Sequence, residues 1–167
     1  KAATQASGKD LAYKQTAVLI GTKHHEAIDA LIPEIHRAAL HNRIRQTLNH
    51  LDTLLDGCFL LGELSGRTSD TILGFGEILS STLIAEALTH DDTLAGQATF
   101  GDSRDWIKTD NRFGKAAVQF ELTNHLIAQH FHADQYRVTL VPGFVATSTD
   151  GHNTTLGRGG SDTSAVA

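Results

Sequence analysis

Methionine is absent from the 167-residue chain, which opens on Lys1. We expect from this a piece of a longer protein. Cysteine is nearly absent too. Cys58 stands alone, which excludes an internal disulfide framework and suits a reducing compartment such as the cytoplasm. No uninterrupted apolar run approaches the roughly 20 residues of a membrane span, so no membrane partner is expected, and the opening residues carry no signal-peptide pattern. Basic blocks are missing, and the formal charge is −5, so no nucleic-acid surface is expected either. The rest is ordinary for a globular chain, with 40% hydrophobic and 20% charged residues on a length that suits one domain or a large part of one.

Between residues 10 and 61, apolar positions recur every three or four residues, as Ile28, Leu31, Ile32 and Ile35, then Leu48, Leu51, Leu54 and Leu55. That spacing predicts helix, with Pro33 starting or bending one. A second helix is predicted over residues 68–88, with Thr68 and Ser69 as caps and Asp70 in its first turn. Its apolar stripe is Ile72, Phe75, Leu79 and Leu83, with Leu73, Ile84 and Leu88 beside it. Residues 97–100 read as a short strand, 101–113 as a polar loop, and 115–131 as a helix with Val118, Phe120, Leu122, Leu126 and Ile127 inward. Residues 136–145 carry the β-branched, apolar run of a buried strand. Pro142 and Gly143 break it where a ligand or loop comes close, and a polar turn follows over 147–153. Helices alternating with apolar strands give the α/β class with a mostly parallel sheet.

The chain closes on TTLGRGGSDTSAVA (154–167). Glycine turns that lead into a helix aim several N–H groups at one point, where the helix dipole adds positive potential. Arg158 sits inside this turn, and its planar guanidinium matches a carboxylate or phosphate through two parallel bonds. Ser161 or Asp162 would cap the helix that residues 163–167 begin. The spacing is neither G-x-x-x-x-G-K-[ST] nor G-x-G-x-x-G, because Asp162 takes the last glycine's place. The stretch therefore reads either as an anion clamp or as a tight structural turn. Glu77 is the second candidate. Helical counting puts it at the edge of the apolar face, between Leu73 and Ile84, where a partly desolvated carboxylate wants a cation. A solvent-facing glutamate is the plainer alternative. The ten histidines, among them His24, His25, His36, His41, His50, His125, His130 and His132, show no zinc-ligand spacing with cysteine or acidic residues. They read as surface residues, and no metal site is expected from them.

Five segments in order resemble the aspartate kinases of the amino acid kinase superfamily. They are LGELSGRTSD (61–70), GFGEILSS (74–81), DSRDWIKTD (102–110) with Phe113-Gly114, Pro142-Gly143-Phe144, and TTLGRGGSDTS (154–164). The resemblance implies a three-layer α/β/α sandwich around a largely parallel central sheet, incomplete at both ends. Residues 1–167 would then be a partial catalytic domain holding the aspartate-binding part. The implied reaction is MgATP-dependent phosphorylation of the L-aspartate side-chain carboxylate to 4-phospho-L-aspartate. It opens lysine, threonine and methionine synthesis in the cytoplasm and is carried out by a homodimer or higher oligomer. By the same resemblance Glu77 binds the aspartate ammonium, Arg158 clamps a substrate carboxylate, and Asp162 is the catalytic aspartate. Phe144, Gly159, Gly160 and Ser161 line the pocket.

Those roles suit the chemistry. Aspartate is a dianion with one ammonium group, so a site for it needs an arginine and a glutamate. Its carboxylate is already a nucleophile, which leaves positioning and charge neutralisation as the catalytic tasks. Asp162 would orient a lysine or a metal rather than remove a proton. The family's K-F-G-G-T phosphate segment and W-T-D-V-D-G nucleotide segment are not found in these residues. ATP and Mg2+ are therefore expected to be held mostly by other segments, and these residues alone to be inactive. Fusion to homoserine dehydrogenase is compatible with the resemblance. Two other readings stay open: another amino acid kinase, such as glutamate 5-kinase or acetylglutamate kinase, and a non-catalytic module that binds aspartate or regulates a partner.

Overall fold

A computed structural model of the chain describes residues 1–94, 96–131, 136–157 and 159–166. It opens with four helices, α1 (Ala2–Ser7), α2 (Ala12–Leu31), α3 (Glu34–Leu61) and α4 (Gly66–Thr89). Helix α1 packs on α2 and α3, and α3 packs on α4. Ile28, Ile44, Leu55 and Leu79 are among the side chains buried in their shared core. Leu31 and Ile35, counted inward by periodicity, are exposed instead. Ile32 and Pro33 are both extended at ψ 134° and 140°, and this two-residue break resets the helical phase so that Ile32 turns inward. At the far end of α3, Gly62 closes the helix at φ 70°. The Lys9 ammonium donates to the carbonyls of Phe59 and Leu60, satisfying acceptors that a helix end leaves open.

Helix α4 starts earlier than its pattern predicts. Ser65 is the N-cap, its hydroxyl accepting from the Thr68 N–H at 3.1 Å, so Thr68 and Ser69 are inside the helix. Asp70 then lies beyond the first turn and is buried. Among the described residues, α4 is the helix long and apolar enough by composition to cross a membrane. Its inward side is taken by α3 and by strands introduced below.

Seven elements follow: β1 (Ala98–Phe100), α5 (Ser103–Trp106), β2 (Lys108–Thr109), α6 (Phe120–Phe131), β3 (Val138–Leu140), β4 (Val145–Ser148) and β5 (Asn153–Thr155), after which α7 (Gly160–Val166) ends the description. Strands β1 and β3 pair in parallel, with Ala98 opposite Val138. A second sheet runs β2-β4-β5, parallel between β2 and β4 and antiparallel between β4 and β5, with Val145 opposite Thr155. The α/β class and the parallel pairs agree with expectation. Helix α4 packs on β1 and β5, while α6 packs on β2 and α5.

Other boundaries differ from the sequence pattern as well. The run 136–145 is two strands, β3 and β4, because the chain leaves the ladder at Pro142. The polar turn expected over 147–153 is narrower, with residues 149–152 at the tip of the β4–β5 hairpin, and the loop 101–113 contains α5 and β2. These segments carry buried hydroxyls that hydrophobic periodicity cannot see. Thr109 and Thr154 share a hydrogen bond of 2.7 Å, and Ser103 Oγ donates to the Val145 carbonyl at 2.8 Å. Helix α6 begins at Phe120, since Val118 is engaged in a bridge to Thr109. Its buried residue is Thr123, and Phe120 and Leu122 are exposed.

The histidines are not simply surface residues. His25 and His41 face each other across α2 and α3 with their Nδ1 atoms 2.7 Å apart, and His41 Nε2 meets Asp29 at 2.9 Å. Burial, then His41, lowers the His25 pKa. His36 stacks on His90 at 4.1 Å between ring centroids. His132 lies outside the described residues. Nearby, Tyr13 donates to Asp56 at 2.5 Å, joining α2 to α3. That hydrogen bond, with a smaller part from burial and the Asp56 charge, pushes the Tyr13 pKa from 10.0 to about 12. A raised folded-state value means the contribution is complete below pH 10.0 and lost as the pH rises through about 12. We expect one tyrosinate absorbance step near pH 12 that Tyr13→Phe removes. A Tyr13 step at the ordinary tyrosine value would break this account of the α2–α3 contact.

Candidate functional site

The candidate site is built where β5 runs out into the glycine stretch. Thr155 ends β5, and the next N–H, on Leu156, donates to the Phe144 carbonyl at 3.0 Å. Phe144 is held at φ 71°, a left-handed conformation that costs a bulky residue about 1–3 kcal/mol. Its N–H donates to Ser164 Oγ at 3.1 Å, while Ser164 Oγ donates to the Gly160 carbonyl at 2.9 Å. The backbone of Phe144 is thus tied to the turn on one side and to α7 on the other.

The packing around this knot is tight. A Cβ on Gly160 would lie 2.7 Å from Leu156 Cβ and 3.1 Å from Phe144 Cδ2, and one on Gly143 would lie 3.0 Å from Ser161 Cβ. Only bare backbone lets these segments meet. Gly159 adopts φ 79°, and its carbonyl accepts from the Thr163 N–H at 3.2 Å. Helix α7 therefore starts at Gly160, three residues before the predicted start. Ser161 and Asp162 sit exposed in its first turn rather than capping it. A carboxylate there is favoured by the helix dipole. Arg158 and Ala167 lie outside the described residues.

Glu77 lies at the edge of the inward side of α4. Asp70, Gly74 and Glu77 recur at the i, i+4, i+7 spacing of one helical stripe. Gly74 packs so closely on β4 that its Cβ would stand 2.9 Å from Val145 Cγ1. Leu73 and Ile84, the expected neighbours on the apolar edge, are 54% and 46% exposed, so the buried face lies to the other side of Glu77. The Glu77 side chain is half-buried. Its carboxylate has no hydrogen-bond or ion-pair partner among the described residues.

Sequence reasoning missed Asp70 as part of this region. Its carboxylate is 2% exposed and accepts from the Gly114 N–H at 2.8 Å, the Thr155 N–H at 2.9 Å and the Thr155 hydroxyl at 3.0 Å. The usable signal was an aspartate in register with Gly74 and Glu77, on a stripe that needs a reason to be polar.

A glycine turn at the end of a strand, leading into a helix beside parallel strand pairs, is the arrangement of small-ligand-binding α/β domains. The sequence profile of the amino acid kinase family matches residues 9–167, and the chain belongs to that family. Its fold is the amino acid kinase fold. The structure of Escherichia coli aspartokinase III in complex with lysine and aspartate superposes with a TM-score of 0.85 at 24% identity, covering 98% of this chain and 36% of that one. The same enzyme in complex with aspartate and ADP gives 0.82 at 23% identity, over 96% and 35%.

Curated relatives are aspartokinases. Lysine-sensitive aspartokinase 3 of E. coli (strain K12) is 31% identical over 138 residues, which is 79% of this chain and 29% of that protein. An aspartokinase of Rickettsia felis is 36% identical over 119 residues, or 71% and 28%. The chloroplastic bifunctional aspartokinase/homoserine dehydrogenase of Daucus carota is 24% identical over 164 residues, or 97% and 17%. The chain thus spans less than a third of the length of these relatives.

Proposed function

We propose that residues 1–167 form the aspartate-binding part of an aspartate kinase catalytic domain. In the proposed reaction a side-chain carboxylate oxygen of L-aspartate bonds to the γ-phosphorus of ATP while the bond to the ADP oxygen breaks, giving 4-phospho-L-aspartate. This would be the first step toward lysine, threonine and methionine, in the cytoplasm. The observation that carries the reading is the half-buried Glu77 carboxylate, which has no partner among the described residues, on the helix whose Gly74 packs against Val145, next to Phe144. A glutamate with no cation among the described residues, in such a position, suits a ligand that brings its own ammonium.

In this reading Arg158 pairs with a substrate carboxylate, and Phe144, Gly159, Gly160 and Ser161 wall the pocket with backbone and one ring. Asp162 is the catalytic aspartate and orients a cationic partner at the reacting phosphoryl group. Removing a proton is not needed, because the nucleophile is already ionised. Among the described residues no group of three or more His, Cys, Asp or Glu side chains is arranged to hold a metal ion. ATP and Mg2+ are proposed to be held mostly by segments outside these residues. A homodimer or higher oligomer is proposed for the full-length protein.

The test is calorimetric titration of the chain with L-aspartate, with D-aspartate as control, in the parent chain and in Glu77→Gln and Arg158→Ala. The L form is expected to bind, and each substitution to weaken it about 30-fold or more, the loss that follows when one partner of a desolvated charge pair is removed. A folded chain that binds neither form, or variants that bind as the parent does, would overturn this assignment.

A further inference from the structure

Asp70 is the one fully buried carboxylate among the described residues, and the reaction proposed above gives it no role. No cationic side chain pairs with it among the described residues. All three hydrogen bonds it accepts come from two other segments, the loop at Gly114 and the end of β5 at Thr155. Burying a carboxyl group on neutral donors is costly, so a purely apolar contact would serve stability better. What the carboxylate supplies is direction. Two N–H groups and one hydroxyl from separate segments are brought to two oxygens on one helix.

Those two segments meet again two residues past Gly114. The Ala116 N–H donates to the Thr155 carbonyl at 2.9 Å. A Cβ on Gly157 would lie 3.1 Å from the Gly114 carbonyl oxygen and 3.5 Å from Lys115 Cα. Gly157, held at φ 75°, therefore enters the glycine stretch against a loop that Asp70 itself holds. On the other side, Leu156 is fixed to the Phe144 carbonyl. Glu77 lies seven residues on along α4, so one helix carries both the clamp and the glutamate that has no partner among the described residues.

We propose that Asp70 is a positioning residue: it fixes the start of the glycine turn relative to α4, and so sets the distance between Glu77 and the turn that closes the other side of the aspartate site. The substrate part of this inference rests on the function proposed above. The clamp itself does not.

The experiment uses the full chain with Asp70→Ala, Asp70→Asn and, as a stability control, Leu55→Ala, which opens a cavity in the α1–α3 core. Asp70→Asn keeps a carbonyl oxygen for the two N–H groups and an amide that donates to the Thr155 hydroxyl. Amide hydrogen exchange is read first. Asp70→Ala is expected to speed exchange across residues 110–117 and 155–161 by about tenfold or more, Asp70→Asn to stay near the parent, and Leu55→Ala to leave those segments unchanged. L-aspartate affinity is read second, and a displaced site is expected to lose about tenfold or more in Asp70→Ala, with most of it restored in Asp70→Asn. Unchanged exchange in a folded Asp70→Ala, or the same exchange pattern in Leu55→Ala, overturns the clamp. Altered exchange with unaltered aspartate affinity overturns the positioning role. A parent chain that shows no aspartate binding counts against the proposed function instead, and leaves the exchange result to decide the clamp.

Discussion

Gly101→Ala is expected to be the most damaging single substitution in the strand layer. An added Cβ would overlap Trp106 Cη2 and stand 3.0 Å from Thr139 Cγ2. The indole has nowhere to retreat, since it is buried and braced by the rings of His130 at 4.4 Å and Phe131 at 5.0 Å between centroids. Gly101 cannot yield either, because its N–H extends the β1–β3 ladder to the Leu140 carbonyl at 2.9 Å. Overpacking of this kind costs about 2–3 kcal/mol. At about 2–4 °C per kcal/mol for a chain of this size, the melting temperature should fall by roughly 4–12 °C. Trp106→Phe shortens the ring at the point of overlap, so the double variant should be more stable than the sum of the single changes predicts. Strict additivity in thermal unfolding would show that the strain lies elsewhere.

Gly160→Ala should act on binding more than on stability. By propensity alone, alanine in α7 is favoured over glycine by up to about 1 kcal/mol. Sterics oppose this, because the new Cβ would stand 2.7 Å from Leu156 Cβ and 3.4 Å from Phe144 Cα. Both are main-chain or β-carbon positions, so relief requires the turn itself to move away from Phe144. The two stability terms offset one another, and the melting temperature should change little. A turn displaced by a fraction of an ångström misplaces every group it presents, and L-aspartate affinity should fall about tenfold or more. Calorimetry on a variant with native circular dichroism reads this directly. Unchanged affinity would remove Gly160 from the pocket wall.

Particular residues show how far the sequence reached. The segments 61–70, 74–81 and 154–164 were recognisable as strings, and the family match over residues 9–167 agrees with what they implied. Gly159 and Gly160 are named through the resemblance alone, and the structure gives the first a positive φ and the second a close packing that both suit glycine. Phe144 is different. Nothing in Pro142-Gly143-Phe144 announces that the phenylalanine, not the glycine, takes the left-handed conformation. That choice is imposed by Ser164 and Leu156, whose hydrogen bonds hold its backbone from two sides. Helix α6 was misjudged for a related reason, since its buried contact is the Thr123 hydroxyl against Lys108 rather than an apolar stripe.

The sequence by itself determined the helical first half, the α/β class, the glycine turn and the family, because these depend on local periodicity, backbone freedom and strings of adjacent residues. Tertiary structure decided which side of α4 is inward: Asp70 and Gly74 face the strands, Leu73 and Ile84 look out, and Glu77 stands half-buried at the border. It also turned Asp70 from an expected first-turn aspartate into a buried clamp on Gly114 and Thr155. The reason is physical. Hydrophobic spacing marks where apolar surface is to be hidden, but a buried carboxylate is worth its desolvation only once donors from distant segments arrive to meet it, and no local pattern records their arrival.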